Sequence, residues 1–260
     1  MTRGNAYELL TPHQARVVEA LVREEVARHL PVVVALSGSH AYGFPSPDSD
    51  VDVKAVHLDP TALFLGLTPK PTSDNVVSTR EGIKIDYTSN ELGGVLQGVL
   101  QGNGNYIERL LGGLYFSPSR LLDEMQGILR RALSRRVAHH YRGFARTQAE
   151  QAGRTSVKSL LYAFRTLLTG AHLLRTGEII LDLPTLLRRY GFDEVQSLVE
   201  KKRAGVDLIE ASEGDYWRIC TLPRAFMALE DAREGSPLPV EPPNEVEVND
   251  WLVRTRLLTA

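Results

Sequence analysis

Asp50 and Asp52 stand one residue apart in the run Asp48-Ser49-Asp50-Val51-Asp52-Val53-Lys54. The alternating valines suit a strand. Strand side chains alternate between faces, so the two carboxylates share one, about 6 to 7 Å apart. Anions this close repel unless a cation lies between them. Hard oxygen ligands on one rigid strand fit Mg²⁺, which takes one or two carboxylates together with substrate phosphates. Asp86 lies on the polar side of a later strand-like segment, Ile83-Lys84-Ile85-Asp86-Tyr87, at the same parity as Lys84. From there it can reach the pair from the side, and three carboxylates would hold two metal ions. Upstream, Gly38 and Ser39 close the β-branched run Val32-Val33-Val34-Ala35-Leu36. A glycine lets the backbone approach a phosphate, and free amides at a helix start attract anions. Those amides and the Ser39 hydroxyl can hold a triphosphate whose oxygens bridge to the metals, which is the architecture of phosphoryl transfer.

The aspartates admit two other readings. Asp48, Asp50, Asp52 and Asp59 match ligand positions of a calcium loop, but Val53 stands where that loop's sharp turn needs glycine. An Asp-rich turn over Ser46 to Ser49 with solvated carboxylates is the purely structural alternative.

Basic residues offer further candidates. Lys158, Arg165 and His172 recur every seven residues, on one face of a helix expected over about 154–176. Lys158 and Arg165 from such a face can cradle a triphosphate; a solvated stripe is the plain alternative. Lys84 is expected to be solvated or beside a carboxylate. Arg130, Arg131, Arg135, Arg136, Arg142 and Arg146 form a run with no acid between Arg130 and Arg146. Such a run is often a solvated face, yet it can bind an RNA or DNA acceptor through its phosphates. Gly102-Asn103-Gly104-Asn105, with Glu108 after it, can shape a pocket or simply turn the chain.

The elements that must position these residues change character once along the chain. Strand-like runs fill the first third, at about 32–36, around Val51, Val53 and Val56, and over Ile83 to Tyr87. A helix is expected over Thr11 to His29, with Thr11 as N-cap and Pro12 in the first turn. After about residue 90 the periodicity is helical, near 90–101, 105–112, 118–131, 134–150, 154–176, 193–204, 214–234 and 244–258. Pro237, Pro239, Pro242 and Pro243 make a stiff lead into the last of these. The expected fold is α+β: a small mixed β-sheet domain over 1–115, followed by a mainly helical domain over 116–260.

With 260 residues, 43% of them hydrophobic, the chain can bury a substantial core. No run of 18 apolar residues occurs, so no membrane helix is expected, and the first residues lack the pattern of a signal peptide. The single cysteine, Cys220, excludes an internal disulfide and a cysteine metal cluster, in keeping with a cytoplasmic protein. A net charge of -2 argues against a surface basic throughout and confines any nucleic-acid contact to one face.

An apolar strand, Gly38-Ser39, a spacer, Asp50-Val51-Asp52 and a later strand aspartate together resemble the signature of nucleotidyltransferases of the DNA polymerase β superfamily. Gly38-Ser39-His40-Ala41-Tyr42-Gly43, Asp48 to Val53, Pro60 with Phe64-Leu65-Gly66-Leu67, and Gly102 to Asn105 before Glu108 are further similar to a group of uncharacterised bacterial and phage predicted nucleotidyltransferases. An arginine is common in that group where this chain has His40. The resemblance covers about residues 32 to 180. It implies that Gly38 and Ser39 bind the triphosphate, that Asp50 and Asp52 ligate two metals, Mg²⁺ or Mn²⁺, and that Asp86 ligates the catalytic metal and helps deprotonate the acceptor. It also implies a lysine from the helical part on the triphosphate. The expected reaction is transfer of a nucleoside monophosphate from an NTP such as ATP to a hydroxyl, with an RNA or DNA end as the favoured acceptor. Transfer of AMP to a protein, transfer to a small molecule, and a non-catalytic nucleotide-binding module of a toxin/antitoxin pair are the alternatives.

Overall fold

The computed structural model describes residues 4–65, 67, 73–151, 153 and 155–258. The chain enters through a two-residue strand β1 (Gly4–Asn5) and helix α1 (Pro12–Arg28), then runs through β2 (Leu30–Ser37), the one-turn α2 (Gly38–Ala41), β3 (Val51–Leu58), β4 (Ser73–Arg80) and β5 (Ile83–Glu91). Helices α3 (Leu92–Leu100) and α4 (Gly104–Leu111) precede the last strand, β6 (Leu114–Pro118). The rest is helical: α5 (Arg120–Arg131), α6 (Val137–Gln151), α7 (Val157–Thr176), α8 (Leu183–Tyr190), α9 (Gln196–Arg203), α10 (Ala211–Tyr216), α11 (Leu222–Glu234) and α12 (Glu245–Leu258).

The strands form one mixed sheet in the order β1-β6-β2-β3-β5-β4, so the α+β expectation holds. β3 runs parallel to β5 and antiparallel to β2, and β4 pairs antiparallel with β5. Val32 to Leu36 on β2 and Val51, Val53, Ala55 and Val56 on β3 are buried, which makes these two strands the sheet's centre. α1 starts as its residues dictate: Thr11 accepts from the Gln14 amide, the Gln14 side chain accepts from the Thr11 amide, and Pro12 sits in the first turn. Its Val17, Val18, Leu21 and Val22 face the core, against β2 and β6.

Three strands were not expected from the sequence. β4 is an edge strand of mostly polar, exposed residues, and its hairpin to β5 turns on Glu81 and Gly82, both with positive φ. β6 follows directly on a helix and straddles residue 115, where composition suggested a boundary. β1 is only a two-residue pairing with β6. Helix α8 was also unanticipated, although Asp182 caps it, Pro184 lies in its first turn and Gly191 ends it in the left-handed region. The single helix expected over 214–234 is divided into α10, a π-helical turn over Trp217–Thr221 and α11, with Pro223 at the start of α11.

α7 is the axis of the helical part. Fifteen of its residues are buried, on every side, because α6, α8, α9 and α11 all pack on it. The last helix does not stay with that part. α12 packs on α5 and α3, where the Arg256 guanidinium meets Glu91 at 2.7 Å and lies 4.0 Å over the Phe64 ring. Buried apolar residues of the sheet and of the helices therefore belong to one continuous core. None of the described helices is long and apolar enough to cross a membrane.

Candidate active site

β2 ends at Ser37, which pairs in register with Asp52, and Asp52 pairs across the parallel ladder with Asp86. That register is what brings residues 37, 52 and 86 together. Gly38 then turns the chain at φ +66 into α2. A methyl group at Gly38 would lie 1.7 Å from Asp52 Oδ2, so only glycine fits against this carboxylate. Asp50 immediately precedes β3 and completes the trio.

Two lysines hold the carboxylates apart. Lys54, two residues beyond Asp52 on the same strand face, places Nζ 3.0 Å from Asp86 Oδ1 and 3.9 Å from Asp52 Oδ1, and donates to Thr88 Oγ1 at 3.2 Å. Lys84 Nζ is 2.7 Å from Asp50 Oδ2. Burial pushes the Asp52 carboxyl above the usual range; Lys54 and Lys158 pull it down, and Asp86 and Asp50 push it further up. Lys84 is raised by its bond to Asp50.

Asp50, Asp52, Asp86 and Lys84 line a polar cleft of about 490 Å³ that also receives Ser39, Ser46, Asp48, Ser49, Lys158, Tyr162 and Lys202. The Ser46–Ser49 turn is tied by its own bonds, Ser46 N to Ser49 Oγ at 2.9 Å and Ser49 N to Ser46 O at 3.0 Å, and it presents Asp48 to the cleft. Asp59, the residue that would close a calcium loop, follows the far end of β3, so that spacing is not realised in space. Mg²⁺ or Mn²⁺ fits the donor set. The carboxylates converge on one cleft wall, and ammonium groups lie where added positive charge is wanted.

Of the two helical-part candidates, only Lys158 lines this cleft. Arg165 is a correction. It is 2% exposed, Nη1 meets both Glu108 carboxylate oxygens at 2.7 Å, and its guanidinium lies 3.9 Å over the Tyr42 ring. The seven-residue spacing does align the two residues, but α7 is enclosed beyond its first two turns, so Lys158 and Tyr162 reach the cleft and Arg165 does not. His172, a turn and more further on, is buried against the Tyr190 hydroxyl at 2.8 Å. Arg165 instead lines a smaller neighbouring cavity of about 180 Å³, with Tyr42, Lys54, Asn105, Glu108, Arg109 and Tyr162. Asn103 of the Gly-Asn loop caps α4, accepting from the Asn105 amide.

Five arginines of the run have partners within the fold, and Arg130 is exposed. Arg131 pairs with Glu247, Arg136 with Glu241 and Glu245, Arg142 with Glu230 and Arg146 with Glu150, while Arg135 donates to the Leu238 and Ser236 carbonyls. Sequence reading gave Lys54 and Lys202 no role and left Lys84 as a neighbour of carboxylates. For Lys54 the signal was present, since it shares strand parity with Asp52. For Lys202, remote in sequence, there was none.

A glycine turn after a central strand, two aspartates opening the next strand and a third across the parallel ladder define a nucleotidyltransferase of the DNA polymerase β superfamily. More narrowly, residues 13–254 match the RlaP family, the RNA repair pathway DNA polymerase beta family, and the chain belongs to it. That match extends on both sides beyond the 32–180 span in which the likeness is legible by eye. Among relatives, the "Uncharacterized protein MJ0002" of Methanocaldococcus jannaschii is 32% identical over 184 residues, covering 68% of this chain and 75% of its own. The "Uncharacterized protein YcgL" of Bacillus subtilis is 24% identical over 205 residues, 74% of this chain and 78% of its own. A crystal structure of a nucleotidyltransferase-like protein from Exiguobacterium sibiricum covers 92% of this chain and 78% of its own at a TM-score of 0.35 and 11% identity, too distant to bear on mechanism.

Proposed function

We propose that the protein transfers a nucleoside monophosphate from an NTP to the hydroxyl of an RNA end, releasing pyrophosphate, with Mg²⁺ or Mn²⁺ as a two-ion cofactor. The observation that carries this reading is the convergence of Asp50, Asp52 and Asp86 beside the Gly38 turn. RNA is favoured as acceptor by the repair-pathway description of the family. Asp50, Asp52 and Asp86 would hold the ions, which when bound neutralise charge developing on the leaving pyrophosphate and make the acceptor hydroxyl more acidic.

The chain's own residues do the rest. Gly38 leaves the backbone open to the triphosphate, and the Ser39 hydroxyl and the Lys158 ammonium bind its oxygens. Asp86 lies where it can accept the proton of the attacking hydroxyl. The acceptor oxygen bonds to the α-phosphorus as the bond from that phosphorus to the bridging oxygen breaks, and the electron pair leaves with pyrophosphate. Such in-line displacement needs positioning and charge more than covalent help. Lys54 and Lys84 hold the carboxylates while no substrate is present. ATP is the first nucleotide to try.

A second reading keeps the chemistry and moves the acceptor to a protein or small-molecule hydroxyl. It is favoured by the internal pairing of Arg135, Arg136 and Arg142, which leaves fewer arginines of the run free for phosphates. One experiment separates the two. The purified protein is incubated with each α-labelled NTP and Mg²⁺, with RNA, DNA, protein and small-molecule acceptors in parallel. Label on RNA ends that disappears with Asp52→Asn is expected. Label confined to protein or small molecules would move the acceptor to the second reading.

A further inference from the structure

At the opposite end of β3 from the aspartates, a second group of ligating side chains comes together for a reason visible in the ladder. Leu30 at the start of β2 pairs with Leu58 at the end of β3, so the flanking residues His29 and Asp59 stand side by side, and His57 lies in register with Pro31. One ligand atom from each of His29, His57 and Asp59 lies within 4.8 Å of the others. Tetrahedral zinc with bonds of about 2.0–2.1 Å sets its ligands about 3.4 Å apart, so side-chain rotation of about an ångström closes the set. The imidazole rings are 4.9 Å apart between centroids.

We propose that His29, His57 and Asp59 form a binding site for a zinc-class divalent transition metal, separate from the carboxylate cleft. Two imidazoles and one carboxylate are a donor set that such ions prefer, whereas Mg²⁺ takes oxygens. The supporting groups match what a ligating histidine needs. His57 Nδ1 lies 2.6 Å from Ser89 Oγ, which fixes the ring, and its Nε2 lies 3.7 Å from Asp59 Oδ2. Asp74 of β4 stands 3.3 Å from His29 Nε2, placed to orient that ring or to add a ligand.

Charge points the same way. Asp59 is 8% exposed, and among the described residues its carboxylate meets one basic side chain, His57. A metal ion between these side chains would give the buried Asp59 carboxylate a countercharge. His29 and Asp59 also line a cavity of about 570 Å³, with Arg28, Leu30, Leu58, Pro60 and Leu63, which would give water or a small ligand access to a bound ion. Along β3, Asp52 and His57 are five residues apart, about 16 Å, so this ion would not touch the transfer chemistry.

The test uses the full chain without a polyhistidine tag, loaded with Zn²⁺ and dialysed against excess Mg²⁺, which competes for the all-oxygen cleft. Elemental analysis should find one retained zinc per chain, also with Asp50→Asn and Asp52→Asn combined, and Co²⁺ in its place should show the visible absorption of a tetrahedral site. His29→Ala, chosen because this side chain is partly exposed, and Asp59→Asn should each weaken retention by at least about tenfold, as much as the loss of an outer-shell partner. Circular dichroism confirms which variants fold, and if Asp59→Asn does not, His29→Ala decides. Wild-type protein that retains no zinc, or retention unchanged by His29→Ala, would overturn the proposal.

Discussion

Asp52 is the most constrained of the acidic residues. Its carboxylate lies across the Gly38 backbone, faces Asp86 through the ladder and is pushed upward in pKa chiefly by burial. A carboxyl raised in the folded state binds protons more tightly there than in the unfolded chain. Stability is then full below the ordinary carboxylate range and falls as pH rises through the raised folded value. In EDTA, thermal melts should show this loss for the wild type and less of it for Asp52→Asn; identical pH profiles would remove the raised Asp52 from the account. Strand parity, a local property with a period of two, and the superfamily resemblance together made Asp50, Asp52 and Asp86 legible in the sequence. The sequence did not show that Lys54 bridges Asp52 and Asp86, since that depends on the parallel pairing of β3 with β5.

At the scale of elements, α7 separates two residues that the sequence grouped. A seven-residue spacing fixes a shared helical face but not what covers it. The covering was not readable locally, because Lys158, Arg165, Thr169 and His172 make a polar stripe that looks solvated until α6, α8, α9 and α11 are seen to enclose it. Lys158 escapes in the exposed first turn and Arg165 does not. Lys158→Ala should therefore raise the apparent KM for NTP about tenfold, the loss of one charge-assisted contact of about 1.5–3 kcal/mol at most, while its melting temperature stays close to that of the wild type. Arg165→Ala strands Glu108 in the core and should cost about 3–5 kcal/mol in urea denaturation. An Arg165→Ala variant as stable as the wild type, with KM alone altered, would return Arg165 to the phosphates. β4 and β6 escaped notice for different reasons: an edge strand needs no hydrophobic face, and five residues after a helix carry too little pattern.

Over the whole molecule, a net charge of -2 hides a division of labour. Arg131, Arg135, Arg136 and Arg142 meet acids and carbonyls of residues 230–247, fastening the proline-rich segment across the helical part before α12 returns to α3 and α5. Charge counting along a sequence sees the local excess but not acids a hundred residues away that cancel it. Arg135→Ala, which deprives the Ser236 and Leu238 carbonyls of their donor, should lower stability by about 1–3 kcal/mol. The slope of RNA affinity against salt should not change in Arg135→Ala, because a side chain bonded to carbonyls releases no counterion on binding; a flatter slope would restore the run as a phosphate-binding surface. The central claim is that Asp50, Asp52 and Asp86 hold the cations that serve a bound triphosphate. A crystal structure with Mn²⁺ and an NTP blocked between its α- and β-phosphates tests this most directly and needs no knowledge of the acceptor. Anomalous peaks bounded by these three carboxylates, with the triphosphate against Ser39 and Lys158 and Lys54 moved off Asp86, are the predicted result. Manganese and triphosphate bound elsewhere, with the Lys54–Asp86 pair intact, would contradict it.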